Sequence, residues 1–558
     1  MHYKQRLPSL GIRALYRALF EQVRNIQEFG RLRAHFASSL FLLSVVFFHG
    51  LSSLRRWVSN DQNSYKNSTA HFYLACREGL PFYNNYPLVF STGQDYKTDV
   101  ERFMCLISGI HQACLASDEV AQAFRTWRSP GAFCDTLVCP EIHAYFAILH
   151  AGTIFKVPAD ACLDVELLRT LLVNIISRPN SCDRHGEMLT LSECASYRRS
   201  EWSVIATRLD AEPVVGEGLR VLRQCKFLLC IDQADQSMDS SSGRFAHLDN
   251  RFPDKALQVC IRLGSDEVLV LCEHASITGA QAASIISAAM NYQDSPARRS
   301  VNLSLEEIAS YDNAVAETWL GEVGTASIKA YLQGQLGRLE YGAISVRDLN
   351  LDAIKRCGIS LDMLVQLAIY EAYRTVTRTP PTLFEPVALD HLPGRALDFI
   401  NPVSVAFKRY QLVASRQQKL DVLMQATQEH KRAISQSKQG FGLLSHLLHI
   451  SYVRWAGGGT NAIVQRVMKC TVLAGLPAFR FIYDRTIMAS NGGSQTALLQ
   501  FGTICHVPGM LGVGYLIKED SVRLDILINN PLHPSLSLER FAACLTYQLK
   551  SSTAVAQY

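Results

Sequence analysis

The chain has 558 residues, too many for one compact core, so two domains are expected. Its composition, 48% apolar and 19% charged with a net charge of only +5, is that of an ordinary folded protein. It carries no basic block or aromatic-interleaved Lys/Arg stripe, which sets nucleic acid aside as a partner.

Residues 11–33 carry Leu, Ile, Phe and Val at helical spacing. From Ala34 to Leu54 there is no Asp, Glu, Lys or Arg, and the centre reads LFLLSVVFFHG between Arg31, Arg33, Arg55 and Arg56. Only about eleven of these residues are strongly apolar, against the roughly twenty needed to cross a bilayer. A buried or membrane-surface helix is expected instead of a span, with any membrane contact made through residues 36–54. A signal peptide would lie nearer the N-terminus. The stretch RFMCLISGIHQACLASDEVAQAF (102–124) reads as one long amphipathic helix. Two short apolar runs, 256–263 and 267–274, flank Gly264–Ser265–Asp266 and predict a hairpin that ends at His274. Helices are expected over 303–318 and 359–377, and apolar runs fall near 384–389 and 470–482. Strand-like ALLQFGTICHV and GVGYLIKEDSVRLDILIN then precede an amphipathic helix over 536–550. This mixture predicts an α/β protein with a domain border around 300–320.

The sixteen cysteines are scattered, none as CxxC, and several lie inside apolar runs (Cys105, Cys230, Cys260, Cys272). That pattern points to reduced, buried thiols instead of a disulfide framework or a zinc site, and so to a reducing, cytoplasmic compartment. His274 follows the run Val268–Leu271 and stands just before a chain reversal. A histidine so placed is suited to general-base chemistry, although on spacing alone it is more often a hydrogen-bonded core residue. Residues 275–282 supply no Asp or Glu to support it.

Along the chain stand LPSL (7–10), RWVSN (56–60), RSEWSVIATRL (199–209), NRFPDKALQV (250–259) and CEHASITG (272–279). ISLDMLVQLAIYEAYR (359–374), GR (394–395), HLL (446–448) and PGMLGVGY (508–515) follow. Their order resembles that of the motifs of the carnitine/choline O-acyltransferases almost end to end. The resemblance implies two α/β domains built like chloramphenicol acetyltransferase, 96–316 carrying His274 and 317–558 carrying the CoA and acceptor contacts. An active-site tunnel would run between them, and a helical segment, 1–95, would pack on both. It also implies acyl-CoA or CoA as co-substrate, an alcohol acceptor, no permanently bound cofactor or metal, and a monomer. His274 would take the proton of the acceptor hydroxyl, which attacks the thioester carbonyl. The resulting oxyanion needs a donor. The family's Ser-Thr-Ser segment aligns with MAS (488–490), which leaves Ser490 for that role. Lys355 and Asp362 fall on CoA-contacting positions, while Leu351 replaces another lysine. SLD (360–362) also reads as a helix cap.

The departures from the family pattern concern charge and acceptor. Thr278 stands where the family has Asp or Glu four residues after its histidine, whereas that carboxylate's arginine partner remains as Arg395. Phe384, Ala396 and Ser445 occupy the places of the Tyr, Thr and Arg that recognise carnitine's carboxylate. Burying that carboxylate almost unpaired would cost several kcal/mol, so carnitine is not expected as acceptor. The acceptor pocket should be roomier and more apolar, with Arg395 able to hold a carboxylate on acceptor or donor. Two readings follow. One is an O-acyltransferase drawing on acyl-CoA or a carrier-protein thioester, with a changed acceptor, in specialised metabolism. The other, favoured by Thr278, is a non-catalytic descendant that binds CoA or acts as a scaffold.

Overall fold

Among the described residues the apolar runs fold into an eight-stranded and a six-stranded mixed sheet, each flanked by helices, beside two two-stranded sheets. The computed structural model describes residues 70–92, 98–141, 144–178, 188–233, 247–291, 308–389, 397–441, 486–493, 495–506, 508–530 and 533–555, with Phe20 and Phe245. The expectations for 11–33, 34–54 and 470–482 lie outside these residues. Two units can be separated. One comprises Tyr73–Gly342 and Gly492–Val507, and the other includes Ala343–Asn491 and Pro508–Tyr558.

In the first unit the expected hairpin is present. Leu257–Arg262 and Glu267–Glu273 pair antiparallel, from Leu257 opposite Cys272 to Ile261 opposite Val268. Gly264 adopts φ +74° in the turn, a left-handed conformation that glycine takes without strain. Asp99 accepts its N–H at 2.9 Å. These strands lie inside an eight-stranded sheet, in the order Ala309–Asp312, Thr153–Pro158, Tyr145–His150, Leu228–Asp232, Leu257–Arg262, Glu267–Glu273, Asn85–Ser91, Leu498–Phe501. Burial on both faces explains why the central strands read as continuous apolar runs without alternation. Asn85–Ser91 pairs along its whole length with the strand that leads to His274.

Two expected helices differ. The 102–124 helix is two, Asp99–Ala116 and Asp118–Arg125, because Ser117 takes an extended conformation and its hydroxyl caps the second at Val120 N. The expected 303–318 helix is contradicted over 309–315. Ala309–Asp312 is an edge strand on Thr153–Pro158, and Ala314–Val315 pairs with Leu189–Thr190. An exposed edge strand buries too little to leave an apolar signature, so pairing decides its conformation.

Beneath the His274 strand lies a buried ionic network. Asp135 accepts from Arg77, Arg128 and Arg199, each at 2.7 Å. Arg128 also reaches Glu273 Oε1 at 2.7 Å, and Arg199 reaches Asp254 Oδ1 at 2.6 Å. Trp202 Nε1 donates to Asp254 at 2.8 Å. Burial would raise the Asp135 carboxyl, but Arg199, Arg128 and Arg77 hold it below the usual carboxylate range. The neighbouring Lys255, fully buried, donates to the carbonyls of Arg125, Arg223 and Cys225. Arg199, Trp202, Asp254 and Lys255 come from the RSEW and NRFPDK motifs, so those motifs serve to hold the framework.

A six-stranded sheet, all of it in the other unit apart from Leu339–Gly342, has the order Leu339–Val346, Val522–Asn529, Leu511–Ile517, Ile487–Asn491, Leu383–Ala388, Leu397–Ile400. Helices Leu361–Thr377 and Leu538–Ala554, both foreseen from their spacing, pack together over its core.

Removing one partner of a buried ion network leaves charge uncompensated. Asp135→Ala is therefore expected to lower the stability of the folded chain by about 3 kcal/mol or more, read by urea denaturation. A change below about 1 kcal/mol, the size of an exposed ion pair, would contradict the network's role.

Candidate active site

Strand Glu267–Glu273 ends so that alternate side chains part: Glu273 turns into the ionic network and His274 emerges on the other side of the chain. The His274 N–H donates to Asn84 O at 3.3 Å. Its ring stacks on Tyr73, centroids 4.4 Å apart, and meets Tyr86 edge-on at 4.9 Å. Tyr73 Oη lies 3.4 Å from His274 Nε2, a long hydrogen bond. Tyr73 is itself fixed through its carbonyl, which accepts from Arg128 at 2.9 Å and Asn84 at 3.2 Å. His506 completes the ring cluster, 5.1 Å from Tyr73 and 6.0 Å from His274.

Burial pushes the His274 imidazole down to about 4, while the Glu273 charge and the main-chain groups of His274 and Ile277 pull the other way. The ring is thus a neutral acceptor at neutral pH, with Nδ1 enclosed and Nε2 towards the Tyr73 hydroxyl. The nearest acid is Glu273, one residue earlier. Its carboxylate receives Arg128, Asn84 at 3.4 Å and Ser276 Oγ at 2.9 Å, which pins the turn beyond the histidine. Thr278 does not act on the ring. Its hydroxyl bonds Gln281 N at 3.3 Å and Gln281 Oε1 at 3.0 Å in a capping box that starts helix Gly279–Met290.

Ser490 belongs to the other unit, on strand Ile487–Asn491, opposite Gly514 and half-buried. Asp362 stands in the first turn of Leu361–Thr377, whose cap is Ser360 as expected. Its Oδ1 accepts from Tyr515 and from Asn491, the latter at 3.0 Å. Glu385 meets His430 Nε2 at 2.7 Å. Burial, opposed by His430 and reinforced by the Asp362 charge, pushes Glu385 up to about 7. Burial pulls His430 down, yet the Glu385 charge more than offsets this and leaves its imidazole above the usual histidine range. Asp362, Glu385 and His430 each bring one atom within 4.8 Å of the others, the set among the described residues that could hold a metal ion. Here Glu385 is held by His430 and lies beside Asp362. Lys355 is exposed and pairs with Asp352 at 3.1 Å, a surface contact that a phosphate could displace. Leu351, at the lysine position, is buried in the core, where an ammonium would be costly. Phe384 is buried opposite Met488. Arg395, Ala396 and Ser445 lie outside the described residues.

Sequence reasoning missed Tyr73, His506, Arg128 and Asp135 around His274, and Glu385 and His430 beside Asp362. Glu385 was legible as the residue next to Phe384. The others are brought in from distant parts of the chain.

The family model described as choline/carnitine O-acyltransferase matches residues 54–547, and the chain belongs to that family. Carnitine O-acetyltransferase YAT2 of Saccharomyces cerevisiae is 26% identical over 186 residues, which are 31% of this chain. The match spans 19% of that relative's length. Among solved structures, the trichothecene 15-O-acetyltransferase of Fusarium sporotrichioides is 12% identical, with 87% of this chain and 94% of that one covered at a TM-score of 0.43. The wax ester synthase/diacylglycerol acyltransferase of Marinobacter aquaeolei is 11% identical, with 88% and 99% covered at a TM-score of 0.38. Among the described residues no helix is long and apolar enough to cross a membrane, and the cysteines are free thiols.

Because the Thr278 hydroxyl serves the helix cap, Thr278→Ala is expected to cost about 1 kcal/mol of stability. The protonation midpoint of His274 should stay where it is. Thermal denaturation together with a histidine titration checks both, and a shifted midpoint at unchanged stability would contradict the assignment.

Proposed function

We propose that the protein is an acyltransferase that moves an acyl group from a thioester, acyl-CoA or carrier-bound, to an alcohol other than carnitine, in specialised metabolism. The observation that carries this reading is the neutral His274 imidazole with its Nε2 turned to a hydroxyl, that of Tyr73, at 3.4 Å. A hydroxyl approaching that nitrogen is the geometry a general base needs.

In the proposed reaction His274 Nε2 takes the acceptor's proton as the oxygen attacks the thioester carbonyl, and later returns it to the departing thiolate. Ser490 is assigned as a hydroxyl donor to the oxyanion. Lys355 and Asp362 are assigned to CoA, Lys355 as a point charge for a phosphate. Asp362's bonds to Tyr515 and Asn491 make it a fixed acceptor for an N–H of the thioester arm. Phe384, Ala396 and Ser445 are assigned to the acceptor, with Arg395 assigned to a carboxylate on acceptor or donor. Phe384's burial in an apolar strand supports the exclusion of carnitine, since no hydroxyl stands there for its carboxylate.

The second reading is a family member that binds CoA without turnover. Thr278's use as a helix cap favours it, because no acid takes that place on the chain.

The test is thiol release from acetyl-, hexanoyl- and palmitoyl-CoA with a pool of alcohols that includes carnitine and choline. Turnover is expected with at least one donor, without stimulation by carnitine, and His274→Ala should lower it by about 10²-fold or more. Folded, CoA-binding protein without His274-dependent release would favour the second reading.

A further inference from the structure

The segment that carries His506 is locked against the turn that carries His274. Leu498–Phe501 pairs with Asn85–Ser91, Phe501 opposite Leu88, and the Gly502 N–H donates to Pro87 O at 2.9 Å. The Phe501 ring fits between two glycines. A Cβ on Gly279 would lie 2.8 Å from it and one on Gly492 2.5 Å, while a Cβ on Gly502 would lie 2.3 Å from the Pro87 ring. Close packing at three glycines fixes where the chain goes next, and it delivers His506, 9% exposed, to the Tyr73–His274 pair.

A base and an oxyanion donor acting on one carbonyl are separated by the attacking oxygen, the carbon and the carbonyl oxygen. With ordinary hydrogen-bond lengths at each end, that spacing is roughly 5–7 Å. The centroids of the His274 and His506 rings are 6.0 Å apart and the ring planes inclined by 30°, a separation that lets a nitrogen of each ring take this spacing. The other polar groups around His274 have different work or the wrong charge. Glu273 would repel an oxyanion, Ser276 donates to Glu273, and Thr278 caps a helix. The Tyr73 hydroxyl faces the base itself. An imidazole presents an N–H in either neutral tautomer.

We propose that His506 is a further catalytic residue, whose ring N–H hydrogen-bonds the oxyanion formed when His274 drives an alcohol onto a thioester; this rests on the reading of His274 as base. The alcohol proton passes to His274 Nε2, the O–C bond forms, and the carbonyl electron pair moves onto oxygen, where His506 donates a hydrogen bond without giving up its proton. Collapse re-forms C=O and breaks C–S, and the thiolate takes the proton back from His274. No group beyond the alcohol and thioester is consumed.

The test compares the full-length parent with His506→Phe and His506→Leu, which lack the donor, with His506→Gln, which keeps an N–H, and with His274→Ala. Removing the donor is expected to lower kcat about 10²-fold while KM for the thioester stays within about threefold. His506→Gln should recover at least about tenfold over His506→Leu. The pH dependence of kcat should keep the acid limb of His274 in all three. Equal losses in Gln, Phe and Leu variants, with lowered melting temperatures, would make His506 a packing residue and overturn the proposal. So would a His506→Phe enzyme with near-parental kcat. If the His506 variants stay active while His274→Ala is dead, this inference alone fails. If His274→Ala retains parental turnover, or the parent shows none, the base reading fails and the inference with it.

Discussion

The Arg128 guanidinium, buried between Asp135 and Glu273, is the contact on which the rest of the His274 unit depends. It pairs with both carboxylates in an interior where a buried charge needs an opposite partner. The same group hydrogen-bonds the Tyr73 carbonyl, and Asn84 bridges Tyr73 to Glu273 while accepting the His274 N–H. One cation therefore sets the end of a strand, the ring that stacks on the histidine and the turn that follows it. Arg199 extends the same arrangement to Asp254 and, through it, to Trp202.

This framework changes what the absence of an acid at position 278 means. In this chain the turn after the histidine is held from the other direction, by Ser276 on Glu273 and by the helix cap at Thr278. The Glu273 charge also reaches the imidazole and raises it against the larger effect of burial. Electrostatic support for the ring thus comes from Glu273, earlier in the chain, while Ser276 and Thr278 fix the turn beyond it. What a carboxylate at 278 would add, a charge beyond the turn, has no counterpart on helix Gly279–Met290, whose first turn carries no acid.

The hairpin to His274, its three-residue turn, helix Leu361–Thr377 and the cap at Ser360 were all readable, because each is set by local periodicity and turn chemistry. The break at Ser117 was readable too, since Ser-Asp-Glu is a helix-start signal, but the longer amphipathic pattern obscured it. Edge strand Ala309–Asp312 was not, because its conformation comes from pairing with a strand about 150 residues earlier. The site divides in the same way. Motif order pointed to His274 and Asp362, whereas Asp135 and His506 meet their partners only through the sheet. The RSEW and NRFPDK motifs were visible as motifs, yet their role in ion pairing required the fold.

Burial keeps the His274 imidazole neutral, and the Arg128–Glu273 pair anchors the strand end that presents it. The most direct measurement is an NMR titration of the full chain with labelled histidine, with His274 assigned by comparison with His274→Ala. A midpoint near 4, well below the ordinary 6.5, is predicted. A midpoint at or above 6.5 would mean that the ring is solvated or charged, and would contradict the account.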